Sequence, residues 1–281
     1  MSASPTLERP VPIDPAAIEA FHTRHPGRAT DDRRRWRVVV AVEVVVILAL
    51  WEVAISGFHV VRPAFMPPPS AIVGSLGELL ARPSFPNHLM YSVGNLVVGV
   101  VLATIVGVGV GLAVGWSRLL DLTVSPIIWT TYSVPKVAFA PLVILALGLG
   151  AASKVFLVFL LGVFPVCLNT IEGVRTVDPS LVRAARVFGT GGIRLLRTVI
   201  LPATLPFILV GIRRAVALGF IGSMLGEFIG GNTGVGYLLK RAAQEFQMDD
   251  ALAIVVVMIA VANVGLLVTD LVQRRVAPWA R

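Results

Sequence analysis

Long stretches of apolar residues recur along the chain, and they restrict its fold more than any other feature. Each is about 17 to 25 residues long, which is the length of helix that crosses the hydrocarbon core of a bilayer. A backbone inside that core finds no water, so it must satisfy its hydrogen bonds within a helix or a closed barrel. Hydrophobic residues make up 56% of the chain and charged residues 14%. The sequence therefore predicts an all-α, polytopic membrane protein with about six transmembrane helices. The predicted helices lie at 38–55, 92–116, 124–148, 154–170, 203–226 and 251–272.

The first 35 residues have a different composition from the rest of the chain. They are rich in Pro, Arg, Asp and His and contain no apolar core of a secretory signal peptide. A segment of this kind cannot bury enough apolar surface to offset the entropy lost on folding. We expect a disordered cytoplasmic tail over residues 1–35 and one transmembrane domain over residues 36–281.

The distribution of Lys and Arg predicts which side of the membrane each terminus occupies, because cytoplasmic loops carry the excess of these residues. If the tail is cytoplasmic, 16 of the 24 Lys and Arg residues lie on that side, in the tail, at Arg118, within 175–197 and at the C-terminus. We therefore expect a multi-pass protein of the cell (inner) membrane with both termini in the cytoplasm. The same rule explains most of the net charge of +8, so no nucleic-acid partner is expected.

The sequence offers little for catalysis or cofactor binding. The single cysteine, Cys167, lies in an apolar run and cannot form a disulfide or a cysteine metal site within the chain. No Ser/His/Asp set fits one plane of the bilayer. We expect no catalytic residue, no metal site and no cofactor. Four histidines lack metal-ligand spacing and are expected to be solvated residues of the tail and loops: His22, His25, His59 and His88.

Residues 178–202 interrupt the apolar pattern with charges and glycines. Asp178 is a natural N-cap, and Pro179 fits the first helical position, where a missing N–H costs nothing. Gly189 is placed to end this first short helix. A Gly-Gly hinge follows, and a second short helix is predicted to continue until Pro202 starts the next span.

One face of the first short helix is apolar. The spacing i, i+3, i+4, i+7 places four residues on it: Leu181, Ala184, Ala185 and Phe188. Two interpretations fit this face. An Arg-rich amphipathic helix is typical of a segment that lies on the inner leaflet. The small Ala residues would also allow the surface of another protein to come close.

The residue pattern of this stretch resembles the cytoplasmic EAA loop of permease subunits of ATP-binding cassette (ABC) importers, which reads Glu-Ala-Ala, three residues, Gly, then Ile-x-Leu-Pro. Here it stands as "RAARVFG" and "VILP", with Arg183 in place of the acidic residue and Val199 in place of the Ile. We name residues 173–202 the coupling segment. The resemblance implies that its ATPase-contacting residues are Asp178, Pro179, Leu181, Arg183, Ala184, Ala185, Phe188, Gly189, Leu201 and Pro202.

The resemblance extends from about residue 51 to the C-terminus. "FMPPPSAIVGSLGELL", "SVPKVAFAPLVILALGLGAASKV", "FPVCLNTIEGVRTVDP" and "GEFIGGNTGVGYLL" resemble the branch that imports nitrate, taurine and aliphatic sulfonates. The family implies the type I ABC importer permease fold. It also implies a second permease copy, expected to form a homodimer, two separate ATPase subunits and an extracytoplasmic solute-binding protein.

The sequence contains no G-x-x-x-x-G-K-[ST] loop, so the chain is not expected to hold ATP phosphates and needs a separate ATPase. The expected function is import of a small solute, an anionic sulfonate, nitrate or taurine-like compound. Three alternatives stay open: import of a pyrimidine or other vitamin precursor, an ATP-driven exporter, and a secondary transporter, which would need an acidic coupling-ion site.

Basic residues inside predicted spans are costly and ask for a reason. Lys136, Arg213 and Arg214 are candidates for a cationic translocation pathway that attracts an anionic solute. Structural pairing with Glu227 or with a partner subunit is the alternative. Small residues also recur at every fourth position and predict a smooth helix face for close packing. They are Gly99, Ala103, Gly107, Gly111 and Gly115.

Overall fold

The computed structural model describes residues 28–58 and 65–278, and these residues form helices and connecting turns with no strand. The chain divides into two units, 1–60 and 61–281. The first unit contains α1 (Arg28–Glu52), which begins inside the region predicted as a tail and ends in a π-helical turn, Val53–Gly57. The tail before residue 28 lies outside the described residues.

The second unit contains the remaining helices. They are α2 (Pro69–Ala81), α3 (Phe85–Trp116), α4 (Arg118–Ser133), α5 (Ala140–Leu147), α6 (Ala151–Arg175), α7 (Pro179–Val187), α8 (Gly192–Leu195), α9 (Leu201–Gly230), α10 (Val235–Gln244) and α11 (Met248–Val276). A 3-10 turn, Lys136–Phe139, precedes α5, and a π-helical turn, Leu196–Ile200, joins α8 to α9.

Five of the six predicted spans lie within continuous apolar helices of the structure. The sixth, 124–148, is apolar enough to cross the membrane but is bent, because α4 and the helix that ends with α5 meet at an angle of 79°. The break falls at Val134 and Pro135. Proline lacks the N–H that would continue the helix and also disfavours helical geometry at the residue before it.

The predicted small-residue face of α3 packs against α6. A Cβ atom at Gly107 would lie 2.8 Å from the Cβ of Val166, and one at Gly111 would lie 2.5 Å from the Cβ of Thr170. Cβ atoms at Gly99 and Gly115 would lie equally close to the Cβ atoms of Val158 and Val174. The small residues therefore let the two helix backbones approach more closely than any side chain would allow, as predicted.

Helix α9 packs on α6 through glycines of its own. A Cβ at Gly211 would lie 2.9 Å from the Cα of Val166, and one at Gly222 would lie 2.9 Å from the carbonyl oxygen of Leu157. Leu157 and Val166 on α6 have no exposed surface. Helix α6 is thus the centre of the core, held between α3 and α9.

The direction of α9 defines two ends of this core. Helix α9 begins on the side of α7 and ends next to α10. We therefore call the two ends of the core the α7 end and the α10 end. Helix α11 begins beside α10 and returns to the α7 end. The coupling segment and the "GGNTGVG" turn before α10 therefore lie at opposite ends.

Candidate coupling segment and transport pathway

The first helix of the coupling segment begins as predicted. The Asp178 side chain accepts a hydrogen bond from the Ser180 backbone N–H at 2.7 Å, and Pro179 occupies the first turn of α7. This hydrogen bond, with a smaller contribution from Arg183, holds the pKa of the Asp178 carboxyl below its usual range. The carboxylate therefore remains charged and caps the helix at neutral pH.

The end of α7 also follows the prediction. Gly189 has a φ of +76°, its N–H donates to the Arg186 carbonyl at 3.0 Å, and the Thr190 N–H donates to the Ala185 carbonyl at 2.9 Å. These two bonds form a Schellman motif, which favours glycine at the left-handed position. The helix thus stops sharply, and a second positive-φ glycine, Gly192, marks the predicted hinge.

The apolar face of α7 is open. No side chain of α7 is buried, and large apolar side chains at and beside its end are strongly exposed: Leu181 at 52%, Val187 at 84% and Phe188 at 87%. Ala184 is exposed and Ala185 is half-buried. Capping at both ends holds this helix in shape while most of its apolar face stays exposed.

The distal part of the coupling segment differs from the prediction. Helix α9 begins at Leu201 with Pro202 in its first turn, but no break separates it from the preceding turns, so one helical run extends from Gly192 to Gly230. Pro202 cannot donate a backbone hydrogen bond to the preceding turn, and the π-helical turn Leu196–Ile200 lies directly before it. A widened turn of this kind accommodates the lost bond within a continuous helix.

The first pathway candidate, Lys136, lies at the break between α4 and α5. Its ammonium donates to the carbonyl oxygens of Tyr132 at 2.7 Å and Val134 at 3.3 Å, at the C-terminal end of α4. It also lies 4.9 Å from the ring centroid of Tyr132 and 4.5 Å from that of Phe164. An ammonium has three N–H donors, so one remains for a ligand.

The other two candidates lie side by side on α9 in different environments. The Arg213 guanidinium pairs with Asp270 of α11 at 3.0 Å, whereas the exposed Arg214 has no ion pair among the residues that the structure describes. The proposed alternative of pairing with Glu227 was wrong for Lys136 and for Arg213. The structure does not bring Lys136 and the two arginines into one cluster of contacting side chains.

Glu227 belongs instead to a buried polar cluster at the α10 end. Its carboxylate accepts hydrogen bonds from Ser92 at 2.8 Å, Ser223 at 3.2 Å and the Gly236 N–H at 2.9 Å. The side chain of Glu227 has no exposed surface, and neither has Lys154, whose charge interacts with it. The carboxylate thereby fixes the first turn of α10 to α9.

Lys154 joins two helix ends in the same region. Its ammonium donates to the carbonyl of Gly230, the last residue of α9, at 2.9 Å and to the carbonyl of Leu149, which lies just after α5. A cation stabilises the negative ends of two helix dipoles in this position. Sequence reasoning missed its role by counting Lys154 with the outer loops. The role could have been inferred from the position of Lys154, which is the fourth residue of a long apolar run and would be buried there.

Comparison with known proteins identifies the family of this chain. A model of the family described as "Binding-protein-dependent transport system inner membrane component" matches residues 99–281, from the middle of α3 to the C-terminus.

The chain belongs to this family.

The permease has relatives over most of its length. The putative aliphatic sulfonates transport permease protein SsuC of Bacillus subtilis (strain 168) is 33% identical over 234 residues, which cover 83% of this chain and 84% of that protein. The taurine transport system permease protein TauC of Escherichia coli (strain K12) is 29% identical over 259 residues, or 88% of this chain and 94% of that protein. The formylaminopyrimidine transport permease protein ThiX of Halalkalibacterium halodurans is 27% identical over 235 residues, covering 84% and 93%.

The histidines of the permease correct one further expectation. His88 is not a solvated loop residue, since it lies in the first turn of α3 and its Nδ1 accepts a hydrogen bond from the Gly234 N–H at 3.1 Å. His22, His25 and His59 lie outside the described residues. Within residues 28–58 and 65–278, no group of three or more His, Cys, Asp or Glu side chains could hold a metal ion.

Proposed function

We propose that the permease is the membrane subunit of an ABC importer, through which a small solute passes from a solute-binding protein into the cytoplasm. Separate ATPase subunits supply the energy, because the sequence has no phosphate-binding loop. The coupling segment is the part of the chain on which they dock. The observation that carries the proposal is the apolar face of α7, which is exposed and held in shape by a cap at each end.

The exposed apolar side chains of α7 favour a protein partner. Val187 and Phe188 are each more than four-fifths exposed, and burying a Phe side chain contributes about 1.5 to 3 kcal/mol. Because Asp178 and Gly189 already fix the helix, docking costs little further loss of conformational freedom. A preformed helix of this kind suits insertion into a cleft of an ATPase.

The charges support an orientation with the α7 end in the cytoplasm. The coupling segment carries five arginines, and Arg118, Arg274 and Arg275 lie at the same end of the core. The positive-inside rule then assigns the C-terminus to the cytoplasm. The basic residues of the predicted tail, which include the start of α1, assign the N-terminus to the same side, while α10 faces the solute-binding protein.

The assembly that we propose contains two copies of the permease, two ATPase subunits and one solute-binding protein, as the family resemblance implies. Lys136 and Arg214 are the stronger candidates for the pathway, since each retains hydrogen-bond donors without an ion pair among the described residues. Arg213 contributes less charge to the pathway because Asp270 neutralises it.

The proposed solute is a small organic anion or zwitterion of the sulfonate class. Support comes from the relatives named for aliphatic sulfonates and for taurine. A pyrimidine precursor is the second candidate, favoured by the relative named for formylaminopyrimidine at 27% identity. Uptake of radiolabelled taurine, an alkanesulfonate and formylaminopyrimidine into proteoliposomes that hold the full transporter distinguishes these solutes.

The docking proposal is tested with three variants. Gly189→Asp places a Cβ and a charge at a left-handed position, and Ala185→Asp places a charge on the apolar face. Gly191→Asp is the matched control, because Gly191 has an extended φ of −138° and open space around it. We expect the ATPase to co-purify with the control and with the wild type but not with the first two variants. Full co-purification of the ATPase and full transport with all three variants would contradict the docking proposal and favour an α7 that lies on the lipid surface.

A further inference from the structure

A polar pocket of about 270 Å³ lies at the α10 end, between the turn that follows α2, helix α10 and the start of α11. Its polar lining consists of Arg82, Arg241, Glu245, Gln247 and Asp250. Apolar side chains complete the wall. This volume is below that of pockets for drug-sized ligands, so the pocket fits one small molecule.

The charged groups of this pocket balance. Two guanidinium groups face two carboxylates, and the net charge of the lining is zero. Arg82 Nη2 donates to Asp250 Oδ2 at 2.7 Å, and Arg241 Nε donates to Glu245 Oε1 at 2.7 Å. Each guanidinium has five N–H donors, so these contacts leave both arginines with donors for a ligand. The carboxylates likewise keep free lone pairs.

The wall of the pocket contains an unusual backbone conformation. Phe246 has a φ of +57°, and it is the one non-glycine residue with positive φ in the described part of the chain. Its neighbours Glu245 and Gln247 both line the pocket. Bulky residues rarely adopt this conformation, and such strain concentrates at functional sites. Here it turns the chain so that both neighbours reach the pocket.

The pocket is also held rigidly. The N-terminal end of α10 is fixed by the Glu227 carboxylate and by Ser92, whose hydroxyl accepts from the Val235 N–H at 2.8 Å. The start of α11 is fixed through Asp249, which accepts from the Ser75 hydroxyl at 3.0 Å. The helix ends that carry the charged side chains therefore stand in place before any ligand arrives.

We propose that this pocket binds a small zwitterion, a molecule with a sulfonate or carboxylate at one end and an ammonium at the other, as in taurine. The arginines bind the acidic group, and Glu245 and Asp250 bind the ammonium. A neutral lining offers donors to the acidic end and acceptors to the basic end of a zwitterion, whereas a ligand of one sign would use only one of the two sets and leave the occupied pocket with a net charge. The proposal rests on the proposed function and adds a receiving site for the solute at the α10 end.

The test uses the assembled permease and ATPase complex in lipid nanodiscs, without nucleotide and without the solute-binding protein. Radiolabelled taurine is the probe, with β-alanine, ethanesulfonate and ethylamine as competitors. We expect ethanesulfonate and ethylamine, which carry one charge each, to compete at least about tenfold more weakly than β-alanine or unlabelled taurine, because each loses a charged hydrogen-bond set. A complex that fails to assemble would argue against the proposed function, and it would be seen before any binding is measured.

Three variants separate binding from structure. Arg241→Gln should lower taurine affinity at least about tenfold, while Lys240→Gln, the same charge change one residue away and outside the lining, should stay at the wild-type value. Glu245→Gln makes the lining net positive, so ethanesulfonate should compete better, relative to unlabelled taurine, than it does in the wild type. A merely structural role for these residues would not reverse the preference. The proposal is overturned if taurine fails to bind, if ethanesulfonate competes as well as taurine in the wild type, or if Arg241→Gln binds normally.

Discussion

The Arg213 guanidinium lies 3.0 Å from the carboxylate of Asp270, and this pair links α9 to α11 toward the α7 end of the core. Both side chains are partly exposed, at 50% and 31%. The adjacent Arg214 has no such partner in the described ranges. Two neighbouring arginines of equal charge therefore have different surroundings: one joins two helices, and the other is exposed without an ion pair among the described residues.

Arg214→Ala should reduce sulfonate uptake in proteoliposomes without lowering the thermal stability of the complex. Arg213→Ala should instead lower stability by up to about 1 kcal/mol, the range for partly exposed pairs after solvent screening. The double variant Arg213→Ala and Asp270→Ala should recover part of that loss, because it leaves no carboxylate without a partner. Equal uptake by Arg214→Ala and the wild type would exclude Arg214 from the pathway.

Gly111→Ala should destabilise the contact between α3 and α6 by about 1 to 3 kcal/mol, the cost of overpacking a tight core. The new Cβ would lie 2.5 Å from the Cβ of Thr170. Gly109→Ala is the matched control on the same helix, since nothing lies within 4 Å of its Cβ position. Thermal unfolding in detergent measures both, and an unchanged midpoint for Gly111→Ala would mean that the helices are not this close.

Lys154→Met should destabilise the permease by about 1 to 3 kcal/mol, because it leaves the buried carbonyls of Leu149 and Gly230 without their donor and removes the cation nearest to Glu227. The double variant Lys154→Met and Glu227→Gln should lose less than the sum of the single variants. Chemical unfolding of the purified complex gives the three free energies. Strict additivity would show that the two buried charges do not interact.

Phe246→Gly should stabilise the permease by about 0.5 to 1 kcal/mol. Glycine avoids the cost of about 1 to 2 kcal/mol for a left-handed residue, less the extra entropy that it loses on folding. Phe246→Ala serves as the control, since it removes the ring and keeps the Cβ. If both variants unfold at the same temperature, the strain inferred from the φ of +57° is absent.

Features set by local sequence could be predicted. Asp178 and Gly189 cap α7 through bonds to residues two to four positions away, so their roles follow from spacing alone. The apolar spans could also be predicted, because the thickness of the bilayer sets the length and apolar character of a helix that crosses it. A proline at position 135 favours a break in the helix, but it does not fix the angle of 79° between the two parts.

Features that depend on distant parts of the chain could not be predicted. The pocket at the α10 end needs Arg82 and Asp250, which are 168 positions apart. The sequence offered Glu227 as a partner for the basic residues of the spans, whereas its carboxylate accepts from Ser92, Ser223 and the Gly236 N–H. Burial inside a bundle decides such pairings, and hydropathy does not report which side chains meet.

The run from Gly192 to Gly230 has 39 residues, so at about 1.5 Å per residue it is about 58 Å long. A bilayer with its headgroups is about 40 to 45 Å thick. With one end of this rod anchored beside Lys154 and Glu227, the other end stands roughly 15 Å clear of the lipid. Helix α7 then lies at the far end of this run, beyond its glycine-packed contact with α6. A slight tilt of this run would then move α7 through a larger distance, on the side where we propose that the ATPase docks.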